Sequence, residues 1–298
     1  MSGYLYFVTV NADKGFGWED YKKKTKSRFK SLVVPYVIWN LLVVVLFAIA
    51  QAASHNSEVL QKDGYKLIVD YGFVDYLKAM WALDHNGVPM DGPLWFVRDL
   101  IVLSLLSPVI YILLSKLKHW GVLLMTVIMF SGEFHGLHGL SPAPWFYFSW
   151  GAYFGLRKSS LGVGFAEKYG NAAVSLLFVL WGLVIWNHFN GNGGITKQYY
   201  IIAAILIMPI ALAKYINRNW AIWLAKYSAA AFFIYAIHKP MMSVLRRVTF
   251  AVVHPESEIT LISLNIIVPI VTLAIAFSIY LIIKKYIPSL KFLNGFRM

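Results

Sequence analysis

Cysteine is absent from the 298 residues, which excludes a disulfide framework, a thiolate metal site, a cysteine nucleophile and any acyl-cysteine intermediate on this chain. Charge is scarce too: Asp, Glu, Lys and Arg make up 14% of the sequence, against 59% hydrophobic residues. Soluble domains carry about 25% charged residues, so a soluble globule is excluded and the bilayer is the solvent. Acidic residues are the rarer sign, 14 against 27 Lys and Arg, giving a net charge of +13. There is no internal repeat, no low-complexity tract and no second soluble domain. Residues 2–10 are not a signal peptide, because no basic residue precedes them and no small-residue cleavage site follows.

What is present is a series of apolar runs. A spanning helix needs roughly 20 mostly apolar residues to cross a core of about 30 Å. Runs at or slightly below that length predict about eight spans, at 31–52, 94–114, 119–131, 142–156, 171–186, 198–213, 227–248 and 259–283. The predicted fold is all-α, a polytopic membrane helix bundle forming a single domain over residues 1–298. Residues 2–10, "SGYLYFVTV", read as the last turns of a further membrane helix.

If the spans alternate, most cations fall on one side, including the run "YKKKTKSRFK" at 21–30 and Lys116, Lys158, Lys284 and Lys285. The positive-inside rule then makes both termini cytoplasmic, in an inner or plasma membrane. The basic excess is topology, not nucleic-acid binding. The 21–30 run suits anionic lipid headgroups, at about 1 kcal/mol per basic residue. The phosphates of coenzyme A would use the same charges.

The same topology places the long segment 53–93 outside. It carries Glu58, Asp63, Asp70, Asp75, Asp84 and Asp91, and it is a candidate lid on the acceptor side. Within it, "FVDYLKAMWAL" (73–83) has helical apolar spacing, which suits a short helix lying at the interface or dipping into the protein, or one amphipathic turn on a surface loop. Tyr and Trp near span ends, such as Tyr36, Trp39, Trp95 and Trp220, are expected to be mostly interfacial anchors.

Three groups invite chemistry. His238, in "FFIYAIHKPMM", lies well inside a predicted span, where an ionisable side chain is costly. Pro240 frees the Ala236 carbonyl beside it. A neutral imidazole there can take or give a proton, or simply bond a backbone carbonyl. Arg98 and Asp99 occupy the second turn of their span. Arginine's planar fork fits a carboxylate, phosphate or thioester oxygen, and the alternatives are snorkelling or an internal Arg98–Asp99 network. Glu133, His135 and His138 resemble a metal-ligand cluster, but the glycines in "SGEFHGLHG" argue against a rigid helix, so no metal site is assigned.

These strings together resemble the integral-membrane acyltransferases called acyltransferase family 3, which modify cell-surface sugars. "SGYL" (2–5), "SRFKSLVVPYVIW" (27–39), "GPLWFVRDLIVLSLLSPVIY" (92–111), "FSWGAYFG" (148–155) and "SAAAFFIYAIHKPMM" (228–242) are similar to family signatures in the same order. The family is built on about ten helices. The resemblance therefore implies that this chain lacks the first helix and most of the second, and with them a basic residue and the histidine thought to act as base. It also implies substrate-binding roles for Arg28 and Trp95 and functional roles for Arg98, Asp99 and His238. Ser31 stands where the family often has a second basic residue, and Lys30 is the substitute on offer.

The function so implied is O-acyl transfer, of an acetyl or other short acyl group, from acyl-CoA to a hydroxyl of a cell-surface or lipid-linked glycan. The expected catalytic residues are His238, Arg98 and Asp99, and the substrate-binding residues Arg28, Lys30 and Trp95. The partners are acyl-CoA, the glycan and anionic lipids, with no bound cofactor. Two other classes stay open: a truncated, non-catalytic membrane module, and a transporter whose helices are interrupted at Pro108, Pro209, Pro240 and Pro269.

Overall fold

A computed structural model describes residues 2–10, 15–53, 66–82, 87–131, 138–158, 163–215 and 218–296. Among them the chain is helical and has no strand. The helices are α1 (Ser2–Phe7), α2 (Trp18–Arg28), α3 (Val34–Ala53), α4 (Phe73–Trp81), α5 (Trp95–Leu105), α6 (Ser107–Leu117) and α7 (His119–Ser131). They continue as α8 (Pro142–Leu156), α9 (Val163–Phe189), α10 (Gly193–Ile201), α11 (Met208–Tyr215), α12 (Arg218–Val253) and α13 (Glu258–Tyr286).

Three helices among the described residues are long and apolar enough to cross a membrane: Trp18–Ala53, Glu167–Phe189 and Glu258–Tyr286. Gly92–Leu105 and Ser107–Leu117 make a fourth if that pair, bent by 66°, is one span. Of the other predicted spans, 119–131 and 142–156 coincide with short helices, 198–213 runs through α10, a π-helical stretch and α11, and 227–248 lies within the 36-residue α12. α8, for example, has 15 residues and so rises only about 22 Å.

The expectation of one continuous helix over 94–114 is corrected by that 66° break at Leu106. Pro108 has no N–H to give the carbonyl four residues earlier, which is that of Ser104. Tyr6 of α1 takes over, its hydroxyl reaching the Ser104 carbonyl at 3.5 Å and Ser107 Oγ at 2.9 Å. The next orphaned carbonyl, Leu105, accepts from the Tyr21 hydroxyl at 3.2 Å. Two distant tyrosines thus cap the broken helix.

Two compact units are present, residues 1–156 with 228–298, and residues 157–227. In the first, α1 lies against α8 with backbones nearly touching. A Cβ on Gly3 would sit 2.0 Å from the Phe148 carbonyl oxygen, and one on Gly155 would sit 2.8 Å from the Tyr4 carbonyl oxygen. Gly151 and Gly155 form the small-xxx-small spacing that lets membrane helices approach closely. Tyr6, Phe7, Leu103, Ile110, Phe148 and Ala152 then make one core cluster. A second joins Leu32, Tyr36 and Trp39 to Leu94, Val97, Phe233, Ala236 and Tyr280.

Tyr36 and Trp39 are buried rather than interfacial. The reason is polar satisfaction: Trp39 Nε1 donates to the Leu293 carbonyl at 2.9 Å, and the Tyr36 hydroxyl donates to the Met80 carbonyl. The expectation that these two anchor the chain at the interface is corrected. Trp220, by contrast, is 63% exposed.

In the second unit α9 packs against α10 and α11, which are joined by a π-helical stretch at Ile202–Ile207. Lys214 Nζ and the Tyr215 hydroxyl both bond Asn171 Oδ1, at 2.6 and 2.9 Å.

Candidate active site

A π-helical turn, Phe29–Val33, leads from α2 into α3, just ahead of Pro35. Lys24 and Arg28 are four residues apart on α2 and share a face. With Lys30 and Ser31 they form the basic wall of a cavity of about 950 Å³. The facing walls are Phe96, Val97 and Leu100 of α5 and Phe232 and Tyr235 of α12, with Tyr6 between. The volume is at the upper end of the usual range for small-molecule sites, roughly 300–1,000 Å³.

Tyr6 organises the cations. Its ring lies 5.2 Å from Lys24 Nζ and 5.6 Å from the Arg28 guanidinium carbon, within cation–π range. Lys24 also donates to the Tyr6 carbonyl and, at 2.7 Å, to Thr9 Oγ1. Two of the predicted substrate-binding residues, Arg28 and Lys30, therefore line one groove. Lys24, Tyr6 and Tyr235 join them, and sequence reasoning had not singled these out. The spacing of Lys24 and Arg28 on a helical wheel carried that signal.

The opposite end of the groove meets the segment before α5. Phe96 lies one turn nearer that segment than Leu100, and the Tyr235 hydroxyl donates to the Pro93 carbonyl. On the same helix Arg98 and Asp99 are buried, 2% and 0% exposed, and neither is among the residues lining the groove. Arg98 Nε and Nη2 both reach Asp99 Oδ1 at 3.0 Å, and Nη1 donates to the Trp81 and Gly87 carbonyls at 2.5 and 2.6 Å. The Trp81 ring lies 5.5 Å from the guanidinium carbon. Asp99 Oδ2 accepts from the Ser141 N–H at 3.1 Å, at the start of α8. The internal network, one of the alternatives for these residues, is what the fold contains. A guanidinium has five N–H donors, and four are engaged here. The pair ties α4, the 87–90 stretch and α8 to α5.

His238 is half-buried on α12, three residues past Tyr235. Its Nδ1 lies 2.7 Å from the Tyr235 carbonyl and 3.3 Å from that of Ile234. A carbonyl only accepts, so Nδ1 carries the proton and Nε2 keeps its lone pair in the neutral ring. Trp95 packs edge-on against Phe96, with ring centroids 6.0 Å apart, and is not among the residues lining the groove. Of the metal-like cluster, Glu133 and His135 lie outside the described residues, and His138 packs against Gly87. Among the described residues no group of three metal-ligating side chains occurs.

Asp91, one of the acids of the 53–93 segment, is set apart by its burial. It is 1% exposed, and neither carboxylate oxygen has a hydrogen-bond partner among the described residues. Burial pushes its carboxyl up to about 7, against the pull of Lys239.

The family model described as an acyltransferase domain, that of acyltransferase family 3, matches residues 1–282. The chain belongs to this family. Acyltransferase family 3 accounts for the apolar helices, and the chain is a membrane protein of that family. Among characterised proteins, the succinoglycan biosynthesis protein ExoH of Rhizobium meliloti (strain 1021) is 30% identical over 120 residues. That match covers 39% of this chain and 28% of ExoH. No solved structure matches.

Proposed function

We propose that this chain is a membrane O-acyltransferase that takes an acetyl or other short acyl group from acyl-CoA and transfers it to a hydroxyl of a cell-surface or lipid-linked glycan. The groove is the observation that carries the reading. Its mouth presents Lys24, Arg28 and Lys30, a cation set suited to the phosphates of coenzyme A. Its apolar stretch past Phe96 and Phe232 can sheathe the pantetheine arm and acyl chain. ExoH is named for the synthesis of succinoglycan, and a related sugar polymer is the acceptor class favoured here. In this reading about eight spans cross an inner or plasma membrane with both termini cytoplasmic, and the groove's basic mouth opens to cytoplasmic acyl-CoA and anionic lipid.

The chemistry needs a proton removed from the acceptor hydroxyl and charge stabilised on the thioester oxygen. His238 relays a proton through Nε2, and Trp95 lies at the acceptor end. Arg98 and Asp99 hold α4 and the 87–90 stretch in place, and the N–H of Arg98 that has no acceptor among the described residues is left for an oxyanion.

The test is incubation of the purified full chain with radiolabelled acetyl-CoA and envelope polysaccharide from the source cells. Labelled glycan is expected, with the Arg28→Ala variant requiring more donor for half-maximal rate. Glycan moved across vesicles without label would favour a transporter, and donor binding with no product would favour a non-catalytic module.

A further inference from the structure

One aromatic side chain on the groove stands in a backbone conformation that costs energy to hold. The chain leaves α13 through a 3-10 helical turn, Pro288–Asn294. Gly295 and Phe296 follow, both in the left-handed region, at φ 63° and 62°. Glycine adopts that conformation freely, but a bulky side chain rarely does. Such a placement persists only where the surroundings over-determine it, and it clusters at ligand sites.

Here the surroundings do over-determine it. Trp39 of α3 donates its Nε1–H to the Leu293 carbonyl at 2.9 Å, and Asn294 is buried. The Gly295 N–H donates to the Phe292 carbonyl at 3.2 Å, and the Phe296 N–H donates to that of Lys291 at 2.9 Å. Gly295 passes so close to the π-helical turn before α3 that a Cβ on it would sit 2.5 Å from the Ser31 carbonyl oxygen. Any other residue there would push the two segments apart. The turn is thus pinned to α3 and set beside Ser31, the neighbour of Lys30.

Phe296 consequently lines the same groove as Lys24, Arg28 and Lys30, at the end where those cations stand. The two aromatic rings at this end differ in what they have left to offer. Tyr6 is buried, and its ring already faces Lys24 and Arg28. Phe296 is 45% exposed. Burial does not account for a strained phenylalanine that stays half in the open.

We propose that Phe296 is the platform on which the adenine of the acyl-CoA donor stacks, while Lys24, Arg28 and Lys30 hold the phosphates beside it. This rests on the acyltransferase reading and adds which residue recognises the donor's nucleotide end. Cations alone suit any phosphate, including that of a lipid headgroup. An exposed ring fixed beside them suits a nucleotide, which joins a flat π-face to phosphates. A ring already held by its own turn also loses little freedom when the base arrives.

The experiment titrates the purified full chain in detergent with acetyl-CoA, with adenosine bisphosphate from the nucleotide end of coenzyme A, and with acetyl-phosphopantetheine, which lacks the adenosine. Phe296→Leu keeps an apolar side chain and removes the ring. For this variant we expect acetyl-CoA and the bisphosphate to bind about 5–100-fold more weakly, the worth of one stacked base. Acetyl-phosphopantetheine should bind as to wild type. Phe296→Trp should bind acetyl-CoA at least as tightly as wild type.

An equal loss for acetyl-CoA and acetyl-phosphopantetheine overturns the assignment, since a displaced turn or a lost lipid contact would act on both. No loss at all overturns it too. If Phe296→Leu does not fold, wild type and a coenzyme A carrying fluorescent ethenoadenine decide. Stacking quenches that emission on binding, and unchanged emission overturns the assignment. Wild type that binds acetyl-CoA and forms no product overturns the transfer reading, and the titration still decides the stacking. Wild type that binds neither acetyl-CoA nor the bisphosphate overturns both.

Discussion

The basic wall of the groove and the buried pair on α5 hold charged side chains under opposite physical conditions. At the α2 end, Arg28 is half-buried, Lys30 is exposed and Lys24 leans on an aromatic ring. At the α5 end, Arg98 and Asp99 are buried and bonded to each other, to the carbonyls of Trp81 and Gly87 and to the Ser141 N–H at the start of α8. A charge that water can reach costs little to hold and is available to a charged ligand. A charge removed from water is stable only with every strong partner in place. In the proposed reading the first end binds donor while the second braces the fold; Asp91, buried with no hydrogen-bond partner for its carboxylate among the described residues, is the exception at the second end.

The comparison breaks most visibly at Arg98. Arg98→Met leaves Asp99 buried without its cation, and removing one partner of a buried pair costs about 3–5 kcal/mol. Thermal unfolding in detergent should show that loss. Replacing both partners, Arg98→Met with Asp99→Asn, is expected to cost less than the two single changes added together. A strictly additive result would mean the pair is not coupled.

At the α2 end the expectation reverses. Arg28→Ala should leave unfolding within about 1 kcal/mol of wild type. It should weaken acetyl-CoA binding by roughly 10–100-fold, the worth of a charged hydrogen bond of about 1.5–3 kcal/mol. Titration with acetyl-CoA measures it, and a stability loss as large as that of Arg98→Met would erase the distinction. Lys30→Ala, at a more exposed position, should weaken donor binding only about 2–5-fold, as for an ion pair of up to about 1 kcal/mol.

The smallest effect is on α4. Asp75 accepts from the Gly72 N–H at 3.0 Å and from Lys66 at 3.1 Å, and these hold its carboxyl below the usual aspartate range. Because the folded value is depressed, its contribution is present above the unfolded titration near pH 4 and is lost as pH falls through the folded one. Asp75→Asn should therefore be slightly less stable than wild type at neutral pH, with the difference vanishing in acid. Unfolding curves at the two pH values test this.

Composition and periodicity alone determined the medium, the helical class and the approximate limits of most helices, because a low-dielectric solvent demands long apolar runs and internal backbone bonding. The face of α2 that carries Lys24 and Arg28 was legible too, since helical spacing fixes which side chains point together. The sequence marked Arg98, Asp99 and His238 as unusual, because ionisable groups inside apolar runs are conspicuous. Their partners were hidden: nothing local tells that Arg98 reaches Trp81 and Gly87, that Asp99 reaches Ser141, or that Tyr6 and Tyr21 close the break made by Pro108.

Asp91 was hidden more deeply still, since an acid in a polar loop reads as solvated. Only tertiary structure buries it beside α3 and α12 and leaves its oxygens without a donor among the described residues. The reason is general: a side chain's type is local, but its solvation and its partners depend on which distant helix ends arrive beside it. Those two quantities decide whether a charge braces the fold or does chemistry.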